Sequence, residues 1–392
     1  MGNDHTGIGQ TRQTETYVAG LQGQRPVIPA DFKTLEESAA HTMTAEAYAY
    51  VAGGAGLEHT MDANRAAFDR WRIKPAMLKG AAKRDLSVDL LGRRLPSPLL
   101  LCPIGVQDLA HESGDLGSSQ AAARIGAPMI FSNQASVSME DCAAAMGDAP
   151  RWFQLYWGKS DDLAKSFIQR AENCGCEAIV ITLDTTSLGW RPRDLNLGSL
   201  PFLHGMGMAQ YTTDPVFRDM LSEPPEDNVL AAAMQFLQVF SEPALDWDTV
   251  KKALDWTDLP VLLKGIQDPA DARIAVDEGF AGVICSNHGG RQVDGAIGSL
   301  DALPGIVDAV DGRGAVLFDS GVRTGADMFK ALALGADAVC LGRPYVYGLA
   351  LGGADGAEAV IKNILAELDL TMGLSGCGSI AEITQDRLKA GD

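Results

Sequence analysis

The sequence predicts a (β/α)8 barrel of the α/β class, and three observations carry that prediction. Eight short, almost continuously apolar runs recur along the chain, as parallel strands covered on both faces require. Stretches with helical spacing separate them. Polar residues stand at the carboxyl end of nearly every run, and in a barrel those ends converge on one mouth. In order, the runs are PLLLCPIG (98–105), APMIFSN (127–133), RWFQLY (151–156), AIVITLDT (178–185), PVLLKGI (260–266), GVICSNHG (282–289), AVLFDSG (315–321) and AVCLGRP (338–344). Helical stretches include DPADARIAVDEG (268–279) and RTGADMFKALALGA (323–336), the latter opening after Gly325 and stopping at Gly335. A doubly wound open sheet is the rival, but no G-x-G-x-x-G follows the first run, and its strand ends would spread along an edge.

Three segments lie outside this repeat. Residues 1–30 read as a polar, poorly ordered arm ahead of one barrel domain spanning 31–392. Residues 31–75 carry helical spacing that leads into YVAGGAG, and should pack across one end of the barrel. Residues 186–246, between the fourth and fifth runs, are far longer than an ordinary βα loop and read as a lid-like insertion or an oligomer contact on the catalytic face.

Composition narrows the function. A 392-residue chain with 46% hydrophobic and 21% charged residues can bury a large core. No window is long and apolar enough for a membrane span, and the N-terminus lacks a secretory pattern. A formal charge of −19 disfavours nucleic acid and anionic membrane as partners. It also means that a site for an anionic substrate must concentrate arginines locally. The seven cysteines (102, 142, 174, 176, 285, 340, 377) are scattered and complete no zinc site, which suits reduced thiols in a cytoplasmic protein.

The strand ends carry the chemistry. The sixth run exits as SNHGGRQVD (286–294), placing His288 and Arg291 together across two glycines. A histidine suits general-base work near neutral pH, and an arginine fork matches a carboxylate. The seventh run ends FDSGVRTGAD and the eighth LGRP; two Gly/Arg turns on the last two strands describe a phosphate site, with Arg323 and Arg343 as its cations. Lys264 ends the fifth run inside apolar residues. Gln154 and Tyr156 on the third run, and Thr182 and Asp184 on the fourth, share the face that points into the mouth. An Asp beside the histidine would hold its tautomer. Arg191, in GWRPRDL, adds a second charge at the mouth. Each segment alone also has a plainer reading: a glycine turn beside a packed histidine, a lysine paired with a barrel carboxylate, a tyrosine at 50 that only packs. Their co-occurrence on successive strand ends favours a site.

With these motifs in this order, the chain resembles the FMN-dependent α-hydroxy-acid oxidase/dehydrogenase family over residues 31–388. SNHGGRQVD, LLKGI, FQLY, DSGVRTG and LGRP carry the resemblance. YVAGGAG, GWRPRDL and TDPVF are similar to the lactate 2-monooxygenase pattern within that family. The resemblance implies FMN as cofactor, a small 2-hydroxy acid (L-lactate first) and O2 as partners, no metal, and a homotetramer or homooctamer. It implies His288 as general base supported by Asp184, and Arg291, Arg191, Tyr50 and Tyr156 around the substrate carboxylate. The flavin would rest on Pro103, Ile104 and Gly105, with Ser132, Gln154, Thr182, Lys264 and Ser286 hydrogen-bonded to its ring. Asp319 would hold the ribityl chain, and Gly321, Arg323, Gly342 and Arg343 the phosphate. There are departures. Gln134 stands where many relatives carry an aromatic or apolar residue, and should face the substrate's side-chain end. Gly105 in place of alanine should leave room near the reactive edge. A larger or more polar substrate follows from both. Release of the 2-oxo acid would give hydrogen peroxide; retention under the insertion would give decarboxylation to acetate-type acid, carbon dioxide and water. A dehydrogenase with another acceptor, and a flavin-binding protein without turnover, are the alternatives.

Overall fold

In the computed structural model, which describes residues 7–391, eight parallel strands close into a barrel. They are β1 (Leu99–Leu101), β2 (Met129–Phe131), β3 (Arg151–Leu155), β4 (Ile179–Thr182), β5 (Val261–Ile266), β6 (Gly282–Cys285), β7 (Ala315–Phe318) and β8 (Ala338–Leu341). Each falls within one of the eight apolar runs. β8 closes the ring on β1, with Leu341 opposite Leu101.

A period of two assigns each strand residue to its side. Leu100, Ile130, Trp152, Val180, Leu262, Ile284, Leu317 and Cys340 fill the barrel interior together with Leu90 and Leu95 of the hairpin Val88–Leu90/Arg93–Leu95, which plugs the amino-terminal end. Neighbours one residue away, such as Leu101, Phe153, Ile181, Leu263 and Phe318, pack outward against the helices. Two residues beyond each interior apolar position come Cys102, Ser132, Gln154, Thr182, Lys264, Ser286, Asp319 and Gly342. The strands thus change from grease to polar groups within one inward step, and that step is the floor of the mouth.

The helices are capped from within the sequence. Ser138 accepts a hydrogen bond from Asp141 N, Ser160 from Leu163 N, and Thr324 from Asp327 N, each satisfying an otherwise orphaned donor of a first turn. Ahead of the barrel, α1 (Ile8–Leu21), α2 (Phe32–Thr42), α3 (Ala45–Ala52) and α4 (His59–Asp69) precede a short strand, Trp71–Ile73, that pairs antiparallel with Leu388–Ala390. The end of α3 lies across the mouth, where Tyr50 and Val51 line the cleft. No helix is long and apolar enough to cross a membrane among the described residues.

The expected poorly ordered arm is instead largely helical, with residues 1–6 outside the described residues. Gly9 of α1 donates its N–H to Asp369 Oδ2 at 2.9 Å, and Arg12 Nε to Asn363 Oδ1 at 2.9 Å. A Cβ at Gly9 would lie 2.5 Å from Ala366 O, so only glycine admits this approach. The contact is polar and backbone-close, which is why an apolar periodicity does not announce it.

The 186–246 insertion folds into short helices, Pro192–Leu197, Ala209–Thr212, Pro215–Asp219 and Val229–Val239, around an aromatic cluster of Phe202, Tyr211, Phe236 and Phe240. Its middle is tied to the β2 exit: Tyr211 OH donates to Asn133 Oδ1 at 3.0 Å, and Gln210 accepts from Met139 N at 3.0 Å while donating to Val137 O at 3.2 Å. This part of the insertion is a fixed wall of the mouth.

Candidate active site

The polar step of the barrel floor opens into a cleft with about 950 Å³ of space free of protein atoms, part of it open solvent. Tyr50, Pro103, Ile104, Gly105, Gln134, Tyr156, Arg191, Lys264, His288, Arg291, Asp319, Gly321, Arg323, Gly342 and Arg343 line it. Ser132, Gln154, Thr182 and Ser286 are buried in the floor, and Asp184 stands behind the histidine. The structure therefore gathers every residue that the sequence reading singled out.

His288 sits in the turn after β6. Its φ of +59°, followed by Gly289 at +64° and Gly290 at +76°, is a left-handed backbone that a side-chain-bearing residue adopts only at a cost of about 1–2 kcal/mol. Tertiary contacts hold it there. Ser320 Oγ accepts from Asn287 N at 3.2 Å and from Gly289 N at 2.9 Å. Asn287 and Asn64 of α4 exchange amide hydrogen bonds of 2.9 and 2.7 Å. Asn64 is a functional position that sequence reasoning missed, since nothing local distinguishes it from any helical asparagine.

Asp184 Oδ1 lies 2.7 Å from His288 Nδ1, with Thr185 Oγ1 3.3 Å from the same nitrogen. The carboxylate fixes Nδ1 as the protonated nitrogen and leaves Nε2 as the basic one. Burial lowers the imidazole's affinity for a proton, Asp184 raises it, and Lys264 and Arg191 lower it again; the net direction is below the ordinary histidine value. For Asp184, burial pushes upward, but the His288 imidazole and Lys264 outweigh it, and the carboxyl stays ionised below its usual range. Tyr156 OH lies 3.5 Å from His288 Nε2, a long, weak contact that either group can give up to a substrate atom in front of the pair. Burial, reinforced by Asp184, pushes the Tyr156 phenol to about 12, so it remains a donor.

Two arginines face this pair. Arg291 donates to Tyr50 O and, at 2.9 Å, to Gly53 O, and lies over the Tyr50 ring with Cζ 5.0 Å from its centroid. Arg191 donates to Arg291 O at 3.3 Å and to Gln292 Oε1 at 3.1 Å. Gln292 also donates to Asp184 O and Ser187 O, joining the base, its partner and the second arginine into one network. Burial and the neighbouring Arg191 bring the Arg291 guanidinium down to about 10, still charged at neutral pH.

Lys264 donates to Ser286 Oγ at 3.0 Å and lies 3.2 Å from Asp319 Oδ2. Burial opposes its charge, but Asp319 and Asp184 keep it protonated, well above the ordinary lysine range. At the other end, Gly321 and Arg323 precede the helix Gly325–Ala333, and Gly342 and Arg343 begin the helix Arg343–Leu374, which kinks at Gly352–Gly353. Arg343 clips three backbone carbonyls, Val51, Gly53 and Gly289, at 2.8 to 3.0 Å. Arg323 has Val322 O as its hydrogen-bond acceptor at 3.2 Å and stacks 4.4 Å over Phe32. Burial brings both guanidinium groups down to about 10.

These residues fit a flavin mononucleotide. Buried Gln154 Nε2 and Thr182 Oγ1 have no hydrogen-bond partner among the described residues, and both residues share the inward side of their strands at the floor, where a polar ring would satisfy them. A Cβ built on Gly342 would meet nothing closer than 3.8 Å, so the β8 exit is not crowded, and Gly342, Arg323 and Arg343 all line the cleft.

One expectation needs correcting. The missing Cβ of Gly105 does not leave free room: a Cβ there would lie 2.9 Å from Gln134 O and 3.0 Å from Gln134 Cβ. Glycine is required because the β2 exit presses against it. Phe202, Leu188 and Thr185 complete the cleft wall and were also missed; Thr185 alone had a local signal, following Asp184 at a strand exit.

The comparisons agree with this geometry. The family described as FMN-dependent dehydrogenase matches residues 39–390. An FMN-dependent alpha-hydroxy acid dehydrogenase of Penicillium citrinum is 44% identical over 381 residues, covering 96% of this chain and 95% of that protein. An L-lactate oxidase of Lysinibacillus sphaericus is 43% identical over 370 residues, covering 94% of this chain and 95% of that one. The crystal structure of a mandelate oxidase superposes with a TM-score of 0.82 at 36% identity, covering 93% of this chain and 98% of that chain. With its barrel closed, its cofactor FMN and its chemistry the oxidation of 2-hydroxy acids, the chain belongs to the FMN-dependent α-hydroxy-acid oxidase/dehydrogenase family.

Proposed function

We propose that this enzyme oxidises a short L-2-hydroxy acid to the 2-oxo acid, with O2 as the terminal electron acceptor. The observation that carries the reading is the Asp184–His288 pair, 2.7 Å apart, facing two arginines that have no carboxylate at ion-pair distance among the described residues. FMN, when bound on the barrel floor, supplies the two-electron acceptor. Arg291 and Arg191 hold the substrate carboxylate, with the Tyr50 and Tyr156 hydroxyls beside it. His288 Nε2 takes the substrate proton, and Asp184 stabilises the imidazolium that results. Lys264 places a fixed positive charge at the β5 exit, where developing negative charge on the cofactor would be stabilised. Pro103 and Ile104 form an apolar rest, and Arg323 and Arg343 receive the phosphate.

Two outcomes follow for the oxidised product. Retention of the 2-oxo acid in the cleft leads to decarboxylation by peroxide, the lactate 2-monooxygenase outcome; the folded 186–246 wall favours it by narrowing the exit. Release of the 2-oxo acid with hydrogen peroxide is the second reading, favoured by the names of relatives, an L-lactate oxidase and a mandelate oxidase. Mixing the yellow holoenzyme with L-lactate in air distinguishes them: acetate and carbon dioxide with little peroxide for the first, pyruvate with stoichiometric peroxide for the second. His288→Asn should retain flavin colour and lose about 10²- to 10⁴-fold in anaerobic bleaching rate. Undiminished bleaching would remove His288 from the base role.

A further inference from the structure

The geometry points to a substrate whose side chain carries a neutral hydrogen-bonding group, read by Gln134. This rests on the 2-hydroxy-acid reading above and specifies the far end of the same substrate.

Gln134 lines the cleft, is only 6% exposed, and its side-chain Nε2 is fully buried without a hydrogen-bond partner among the described residues. Its backbone is pinned on both sides of the residue. Gln134 N donates to Ser132 Oγ at 3.1 Å, and Gln134 O accepts from Val106 N at 2.9 Å. Two glycines grip it from either side. A Cβ on Gly105 would lie 2.9 Å from Gln134 O; a Cβ on Gly207, from the insertion, would lie 3.0 Å from that oxygen and 3.2 Å from Phe202 Cε1. These contacts fix the strand exit that carries the side chain, and Gln134 and Phe202 line the cleft together with His288.

A methyl-bearing substrate would leave that buried amide unpaired, whereas a hydroxyl or carbonyl two or three bonds beyond the reacting carbon would satisfy it. Of the cleft cations, Arg191 and Arg291 are committed to the first carboxylate and Lys264 to Asp319 and Ser286. A second carboxylate beside Phe202 would therefore lack a counter-charge, which favours a neutral group over a diacid.

The test uses the FMN-loaded enzyme and two L-acids of equal size, L-glycerate (side chain CH2OH) and L-2-hydroxybutyrate (CH2CH3), with L-malate as the charged probe. Anaerobic stopped-flow bleaching gives the reduction rate over Kd for each. The glycerate-to-hydroxybutyrate ratio should fall about tenfold or more in Gln134→Leu relative to the unaltered enzyme, which cancels the intrinsic reactivity of the two acids. Gly105→Ala, which displaces Gln134 without removing its amide, should lower the ratio in the same direction. Titrating the oxidised enzyme with hydroxypyruvate and 2-oxobutyrate, followed by flavin absorbance, should show the same preference and the same loss. An unchanged ratio in Gln134→Leu, or L-malate surpassing L-glycerate, overturns the inference. Absence of bleaching by all of these acids and by L-lactate overturns the underlying 2-hydroxy-acid reading instead.

Discussion

The arginines of the cleft and those of the scaffold are the same residue put to opposite uses. Arg84 grips Asp369 with bonds of 2.7 and 2.8 Å, Arg65 meets Asp327 at 2.8 Å, and Arg170 joins Glu140 and Asp214 at 2.9 and 3.1 Å. Arg191, Arg291, Arg323 and Arg343 bond backbone carbonyls, a glutamine, a methionine sulfur or an aromatic face, with no carboxylate at ion-pair distance among the described residues. In a chain of net charge −19, four cations kept from the abundant acids are a reserved positive field. The scaffold neutralises its charges within the protein, while the cleft leaves that task to the carboxylate and phosphate of its ligands.

Breaking a scaffold pair should produce the largest stability effect. Arg84→Ala leaves Asp369, whose side chain is 1% exposed, without its counter-charge and should lower unfolding free energy by about 3–5 kcal/mol in urea titrations. FMN affinity of the folded protein should be unchanged, and a parallel loss of affinity would blur the division. Arg323→Ala tests the other side. It should weaken FMN binding about 10- to 100-fold by fluorescence titration, as expected for a charge-assisted bond of about 1.5–3 kcal/mol. The apoprotein should lose no stability, because burial already disfavours that charge.

A subtler effect concerns pH. Because the His288 pKa is lowered, the base is neutral down to below the usual histidine range, and the acid limb of reduction rate over Kd should lie below 6.5. Asp184 is the group that raises it. Asp184→Asn should therefore move that limb further down while lowering the plateau, and a limb moving upward would contradict the pairing. Smallest of all is the exposed Arg94, 53% exposed beside Asp89 and Asp85, where Arg94→Ala should change stability by less than about 1 kcal/mol and leave both ligands alone.

The barrel and its polar strand ends were legible because parallel strands covered on both faces must be apolar throughout, so that Lys264, Gln154 and Asp319 stand out against their runs. Helix α1 was not, because its docking uses Gly9, Arg12 and Asp369 in place of an apolar stripe. Nor was the reason for Gly105. A glycine reads as space until the chain that fills it, here Gln134 from a different strand exit, is in place. Asn64, Phe202 and Gln292 share that character, since their roles come from what the fold brings opposite them.

The two-residue spacing between the packed interior layer and the polar floor also limits how such a chain can evolve. Leu262 and Lys264, Ile284 and Ser286, Leu317 and Asp319 ride on the same side of their strands, so one point substitution can retune the chemistry without touching the plug beneath it. Deleting or inserting a single residue before the floor position would rotate the strand end by half a turn, aiming lysine or aspartate at the outer helices and a leucine at the flavin. Diversification of this site is therefore open to exchanges of residue and closed to changes of strand length, leaving length variation to the loops above the mouth, where this chain carries its 186–246 insertion.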